Sequence, residues 1–180
     1  MRMLLSGWKE CESGLLKEKV VGRIPDSGGS YILIGELTED KIFEFQTYGV
    51  FRLMKGFYYY CGNARGKGGL RARIGRHIAC EKHYHWHIDY FRPFLDLICV
   101  LWCRDEEMNE CRYISMLSSI KSVAHPIKKF GASDCTRSCF SHLVYSLELL
   151  SFQSIKEKLK HTQIDLQETR LNGNLIESSR

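Results

Sequence analysis

Apolar positions along the chain come in short runs, and the spacing within each run indicates the element it forms. Lys17 to Ile24 reads as a strand or as the end of a short helix, and Pro25-Asp26-Ser27-Gly28-Gly29 marks a turn. The compact run Tyr31-Ile32-Leu33-Ile34 is short and branched, which favours a strand ending at Gly35-Glu36-Leu37. After a turn signal at residues 38–40, Ile42, Phe43 and Phe45 predict a second strand as hairpin partner of the first. Gly56 to Cys61, rich in tyrosine, predicts another strand. Four glycines among the eight residues from Gly62 to Gly69 exclude a helix interior and predict a loop.

Beyond that loop, Leu70, Ile74 and Ile78 recur every four residues, the stripe of a helix spanning Leu70 to Ala79. Arg73 and His77 share an adjacent face of it. The block HYHWHIDY, His83 to Tyr90, alternates as on an extended strand, with His85 and His87 on one side. Leu95 to Cys103 predicts a buried, central strand. Glu106 to about Val123 has a helical pattern that Pro126 ends. Phe130 to Asp134 predicts a loop, His142 to Leu150 a final strand, and residues 152–168 a polar helix before a frayed end. Together these give an α+β fold: a small, mainly antiparallel sheet with flanking helices. The expected division is an extension over 1–28, one domain over 29–150 and a polar helix or tail over 151–180.

Composition narrows the class. At 180 residues and 44% hydrophobic content the chain can build one core, and it is not disordered overall. It has no run of about 18 apolar residues, so no membrane-spanning helix is expected. Its start has a short apolar patch followed by charges, unlike a secretory signal. Without a secretory signal the eight cysteines are expected to be reduced thiols in a cytoplasm, and the absence of a C-x-x-C pair gives a structural zinc site weak support.

Charge is unevenly distributed. Between Arg52 and Arg92 there are nine basic residues against Glu81 and Asp89, a local +7 in a chain of net +5, so the remainder nets −2. Such a zone attracts a polyanion, or is simply a solvated basic face. The glycine loop before a helix start offers backbone N–H groups to a phosphate. It matches neither a Walker loop nor a dinucleotide fingerprint. By themselves Arg73 and His77 fit an exposed arginine and a core-edge histidine better than a site.

Several ordered motifs change that weighting. Gly29-Ser30-Tyr31 resembles the first signature of the GIY-YIG nucleases, and Tyr60-Cys61-Gly62 the second. GNARGKGGLRARIGRH then places Leu70 and Arg73 where that family carries its helix and essential arginine, and His77 where some members carry a histidine. Glu110, 37 residues after Arg73, falls where the family's metal-binding glutamate lies on a later helix. The blocks GGLRARIGRH, HWHIDY and FGASDCTRSCFSHL resemble the Uri-type branch of that family; the resemblance covers residues 29 to 147. There are departures. The gap from Tyr31 to Tyr60 is long and implies an inserted hairpin near 38–53, Cys61 replaces a branched apolar residue, and Asn63 stands where serine is usual.

The resemblance implies a divalent-metal-dependent endonuclease. Glu110 would hold Mg²⁺ or Mn²⁺, Tyr31 or Tyr60 would position the attacking water, Arg73 would stabilise the phosphoryl charge, and His77 would take part in proton transfer. Lys67, Arg71 and Arg76 would hold the flanking nucleic-acid backbone, with DNA favoured over RNA. His85 and His87 could contact phosphate, bind metal or hold the loop, or belong to a packed aromatic belt. A competing reading is a nucleic-acid-binding module of the same fold without catalysis. A third is a zinc or redox protein, with Cys135, Cys139 and His142 on one side of a helix.

Overall fold

The computed structural model describes residues 20–45, 49–79, 82–160 and 164–171. Its centre is a six-stranded sheet. The strands are β1 (Ser30–Leu37), β4 (Gly56–Asn63), β5 (Asp96–Cys103), β6 (Val123–Ala124), β7 (Leu143–Ser146) and β8 (Gln167–Arg170), in the order β6-β7-β4-β1-β5-β8. All its pairings are antiparallel. A separate hairpin pairs β2 (Lys41–Phe45) with β3 (Gly49–Leu53). The four helices of the described residues are α1 (Gly69–Ile78), α2 (His87–Phe91), α3 (Glu110–Ser118) and α4 (Phe152–Lys158). The α+β arrangement read from the sequence is therefore present.

Because side chains alternate along a strand, the sheet divides the core in two. On one face Tyr31, Leu33, Tyr58 and Tyr60 meet Leu70 and Ile74 of α1 and Ile88 and Phe91 of α2. On the other, Ile32, Ile34, Tyr59 and Cys61 meet Tyr113, Ile114 and Leu117 of α3 and Ile155 of α4. A register shift between Ile34 and Gly35 skips Ile98, which lets Leu97 face the first cluster and Cys99 the second.

Several expected elements differ. The segment around Phe43 pairs with β3 and not with β1, because β1 is already bordered on both sides by β4 and β5. It is the inserted hairpin, and Phe43 and Phe45 fold onto the first face of the core. Strand β5 is an interior strand as expected, bordered by β1 on one side and by the edge strand β8 on the other, and most of its residues are buried. Helix α3 begins at Glu110, capped by the Asn109 side chain accepting from the Arg112 N–H, and ends eight residues before Pro126. His87 opens a one-turn helix and is not strand residue. Strand β7 is not the last, since residues 167–170 close the sheet as β8. The helix expected over 152–168 spans Phe152–Lys158. The reading at Lys17 to Lys19, most of the expected N-terminal extension, and the last nine residues of the expected tail lie outside the described residues. No helix among the described residues is long and apolar enough to cross a membrane.

Candidate active site

Tyr31 and Tyr60 project from the same face of adjacent strands. Tyr31 lies opposite Gly62, and Tyr60 opposite Leu33, so the two phenols are diagonal neighbours. Gly62 makes this possible: a Cβ there would lie 2.4 Å from the Tyr31 hydroxyl. Gly69, at φ +55°, opens α1 with its Cα packed on the carbonyls of Asp26 and Ser27, where a Cβ would fall within about 2.3 Å of both. The helix thereby starts close to β1 and directs Arg73 and His77 at the tyrosines.

The His77 ring is buried, with Nε2 2.7 Å from the Tyr31 hydroxyl. Its Nδ1 faces Asp89 Oδ1 at 3.9 Å. Asp89, also buried, is a hub. Its Oδ2 accepts from the backbone N–H groups of His85 (2.9 Å) and Trp86 (3.0 Å) and from Arg76 Nη2 (2.8 Å), and Lys82 Nζ lies 2.9 Å from Oδ1. This network fixes Trp86, over whose ring the Arg73 guanidinium stacks at 3.8 Å. Among the described residues Arg73 has no hydrogen-bond partner or ion pair, so its donors are uncommitted.

Glu110 comes from the other side of the sheet. Although α3 packs on the second face, its first residue reaches around the end of β4, where Asn63 Nδ2 donates to Glu110 Oε1 at 2.9 Å. The second carboxylate oxygen, Oε2, is buried without a hydrogen-bond partner among the described residues. Tyr31, Tyr60, Arg73 and Glu110 thus line one open cleft of about 520 Å³, with Trp86 and Asn63 between them.

Electrostatics set the protonation states. Burial, followed by the neighbouring Tyr60, pushes the Tyr31 phenol well above its ordinary range, and the Arg73 guanidinium does not offset it. Burial likewise raises Tyr60 against Arg73. Burial and then the Lys82 charge lower His77 to about 3, so its imidazole is neutral near pH 7. Burial acts to raise Asp89, but the Lys82 hydrogen bond and the Trp86 and His85 N–H groups outweigh it and hold the carboxyl at about 2.

A buried neutral histidine makes stability depend on pH. Its folded pKa lies below the unfolded value of about 6.5, so the unfolded chain binds the proton first and stability falls as pH drops from there towards about 3. Burial shifts His87, His125 and His142 in the same direction. His77→Gln is therefore expected to flatten the acid slope of the urea-unfolding free energy between about pH 6.5 and pH 4.5, by up to about 1.4 kcal/mol per pH unit. A slope identical to that of the parent chain would remove His77 as the buried neutral group.

The other expected contacts are dispersed. Lys67 is exposed on the glycine loop and does not line the cleft. Arg71 donates from Nε to the Ile24 carbonyl and lies 3.7 Å from Asp26. Arg76 binds Asp89 and the His83 carbonyl. His85 is exposed with its ring against Trp86, and His87 Nδ1 accepts from the Gly131 N–H at 2.6 Å. Arg65 and Arg137 line the cleft instead, and with Arg73 they face Glu106, Glu110 and Asp134. The formal charges of these six balance.

Cys135 and Cys139 do not lie on a helix but in the loop between β6 and β7, and they meet Cys111 of α3 and His142 at the edge of the same cleft. The six described cysteines are all free thiols.

Residues 30–164, three quarters of the chain, match the profile described as domain of unknown function DUF123, and the chain belongs to that family. No curated protein and no solved structure matches it.

Proposed function

We propose that the chain is a divalent-metal-dependent endonuclease of the GIY-YIG type, close to the Uri-type branch, hydrolysing phosphodiester bonds in nucleic acid, with DNA preferred to RNA. The supporting observation is the meeting of Tyr31, Tyr60, Arg73 and Glu110, far apart in sequence, around one cleft. A hard cation fits the donor set. Glu110 Oε2 is an orphaned buried carboxylate oxygen, and Asn63 fixes its partner oxygen. Mg²⁺ or Mn²⁺ held by Glu110 would supply a Lewis acid for a phosphoryl oxygen. It would also tip the balanced charge of the cleft towards an anionic substrate.

The chain's own residues do the rest. Neither phenol ionises readily, so Tyr31 is a poor base alone. Its hydrogen bond to neutral His77 gives the phenol proton an acceptor, a weak one because burial and the Lys82 charge lower that imidazole's basicity, so the relay runs only as charge builds on the attacking water. As a water attacks phosphorus, its proton passes to the Tyr31 oxygen while the Tyr31 proton moves to His77 Nε2, and Asp89 beyond Nδ1 stabilises the imidazolium; the P–O bond to the leaving nucleoside oxygen breaks, and that oxygen takes up a proton from solvent. Tyr60, beside Tyr31, orients the water. Arg73, held flat by Trp86, binds two phosphate oxygens and stabilises the charge that builds there. Lys67 and His85 are exposed and would meet flanking backbone, Arg65 is exposed but its guanidinium donates to the Glu106 and Met108 carbonyls, and His87 acts as a packing residue against Phe45 and Phe130. The free thiols accord with a cytoplasmic location, which we propose as well.

The test is a cleavage assay on linear, branched and single-stranded DNA and on RNA, with Mg²⁺, with Mn²⁺, and with neither. Cutting that depends on added metal is expected. Tight nucleic-acid binding without cutting under every condition would instead mean a binding module, and neither binding nor cutting would end the nucleic-acid reading.

A further inference from the structure

The second cluster at the cleft edge is independent of that reading. Cys111 Sγ from the first turn of α3, Cys135 and Cys139 Sγ from the loop, and His142 Nε2 from the residue before β7 all lie within 4.8 Å of one another. Cys111 Sγ is 3.4 Å from Cys135 Sγ and 3.7 Å from His142 Nε2. A tetrahedral zinc with ordinary Zn–S and Zn–N bonds requires S···S edges of about 3.8 Å and S···N edges of about 3.5 Å. The observed distances fall on either side of these values.

Three features set the cluster apart from cysteine used as a small hydrophobe. Cys61, Cys99 and Cys103 take that role, each no more than 5% exposed in the core, whereas Cys111, Cys135 and Cys139 are part-exposed and converge on one point. The loop is shaped to present them. Its ends are closed by Lys129 N–H to the Phe140 carbonyl and His142 N–H to the Phe130 carbonyl, and it turns between the two cysteines through Ser138, a non-glycine residue at φ +55°. The imidazole also faces the cluster, with Nε2 3.7 Å from Cys111 Sγ.

We propose that Cys111, Cys135, Cys139 and His142 hold one Zn²⁺ ion in a closed, structural site. Binding releases the three thiol protons and joins three thiolates and one neutral imidazole to the metal. Four protein ligands leave no open position, so this zinc takes no substrate. It clasps the loop between β6 and β7 to the start of α3 and thereby fixes Glu110, the residue next to Cys111.

The experiment is metal analysis of the full chain purified without chelator. About one zinc per chain is expected, with X-ray absorption giving three sulfurs at about 2.3 Å and one nitrogen at about 2.0–2.1 Å. Cys139→Ser and Cys135→Ser should retain less than about half of it, and Cys99→Ser all of it. Co²⁺ exchange of the unaltered chain gives a second reading that does not depend on a serine variant folding: thiolate-rich tetrahedral absorption bands. Stripping the zinc should lower the melting temperature on the order of 10 °C. A chain that binds neither zinc nor cobalt overturns the proposal. So does iron in place of zinc, a Cys111–Cys135 disulfide in reduced preparations, undiminished zinc in Cys139→Ser, or a melting temperature indifferent to zinc. None of these readouts involves cleavage, so the nuclease reading and the zinc site can fail separately.

Discussion

Glu110→Gln is expected to abolish metal-dependent cutting, by at least about 10³-fold in single-turnover rate, while nucleic-acid affinity measured without divalent metal stays within about threefold of the parent. Glutamine keeps the shape of the side chain and an oxygen to accept from Asn63 Nδ2, so the link between β4 and α3 survives. It removes the negative charge and places an amide where Oε2 now sits without a partner. A hard cation gains nothing from an N–H donor, and the several kcal/mol of Lewis-acid stabilisation go with it. The selectivity of the effect distinguishes this outcome from misfolding: binding and melting temperature hold while chemistry stops. Full cutting by the glutamine variant would remove Glu110 as metal ligand, and parallel loss of binding and stability would mark it as structural.

Much of this arrangement is legible in the sequence, for a physical reason. Tyr31 and Tyr60 sit in short, continuous apolar runs that read as strands, and the glycine loop followed by an apolar stripe at every fourth residue places Arg73 and His77 on one face of a helix. These are local signals. What was illegible depends on chain packing. Nothing near Phe43 says that β1 already has two neighbours, so a hairpin partner and an inserted hairpin look alike in sequence. The alternation of His85 and His87 suggests a strand, but Asp89 captures the backbone N–H groups of His85 and Trp86 and winds the segment into a helical turn. The same capture makes Trp86 the platform for Arg73, a role that an isolated tryptophan does not announce. Asn63 is visible only as an odd residue where serine is usual, and becomes informative once Glu110 is opposite. The cysteine cluster was half visible. Spacing of four and three suggested a helix, and the fourth member, Cys111, lies 24 residues before Cys135, brought in only by the packing of α3.

Arg73→Ala should cost about 10²–10³ in cleavage rate, the usual loss when one preorganised donor to a transition state is removed. The informative variant is Arg73→Lys. Lysine keeps the charge but cannot offer two parallel N–H groups, and it lies less well on an indole face than a planar guanidinium does. If Arg73 worked as a point charge drawing in the polyanion, lysine would restore most of the rate. The stacking of its guanidinium carbon 3.8 Å over Trp86 fixes a plane, and a fixed plane matters only for bidentate recognition. Lysine is therefore expected to recover less than about a tenth of the rate, with the loss in the chemical step and not in substrate affinity. Trp86→Ala, which leaves the arginine in place but unsupported, should fall between the parent and Arg73→Ala. Rates near the parent value for both Arg73→Lys and Trp86→Ala would show that orientation of the guanidinium is irrelevant, and would leave Arg73 only a long-range electrostatic part in substrate capture.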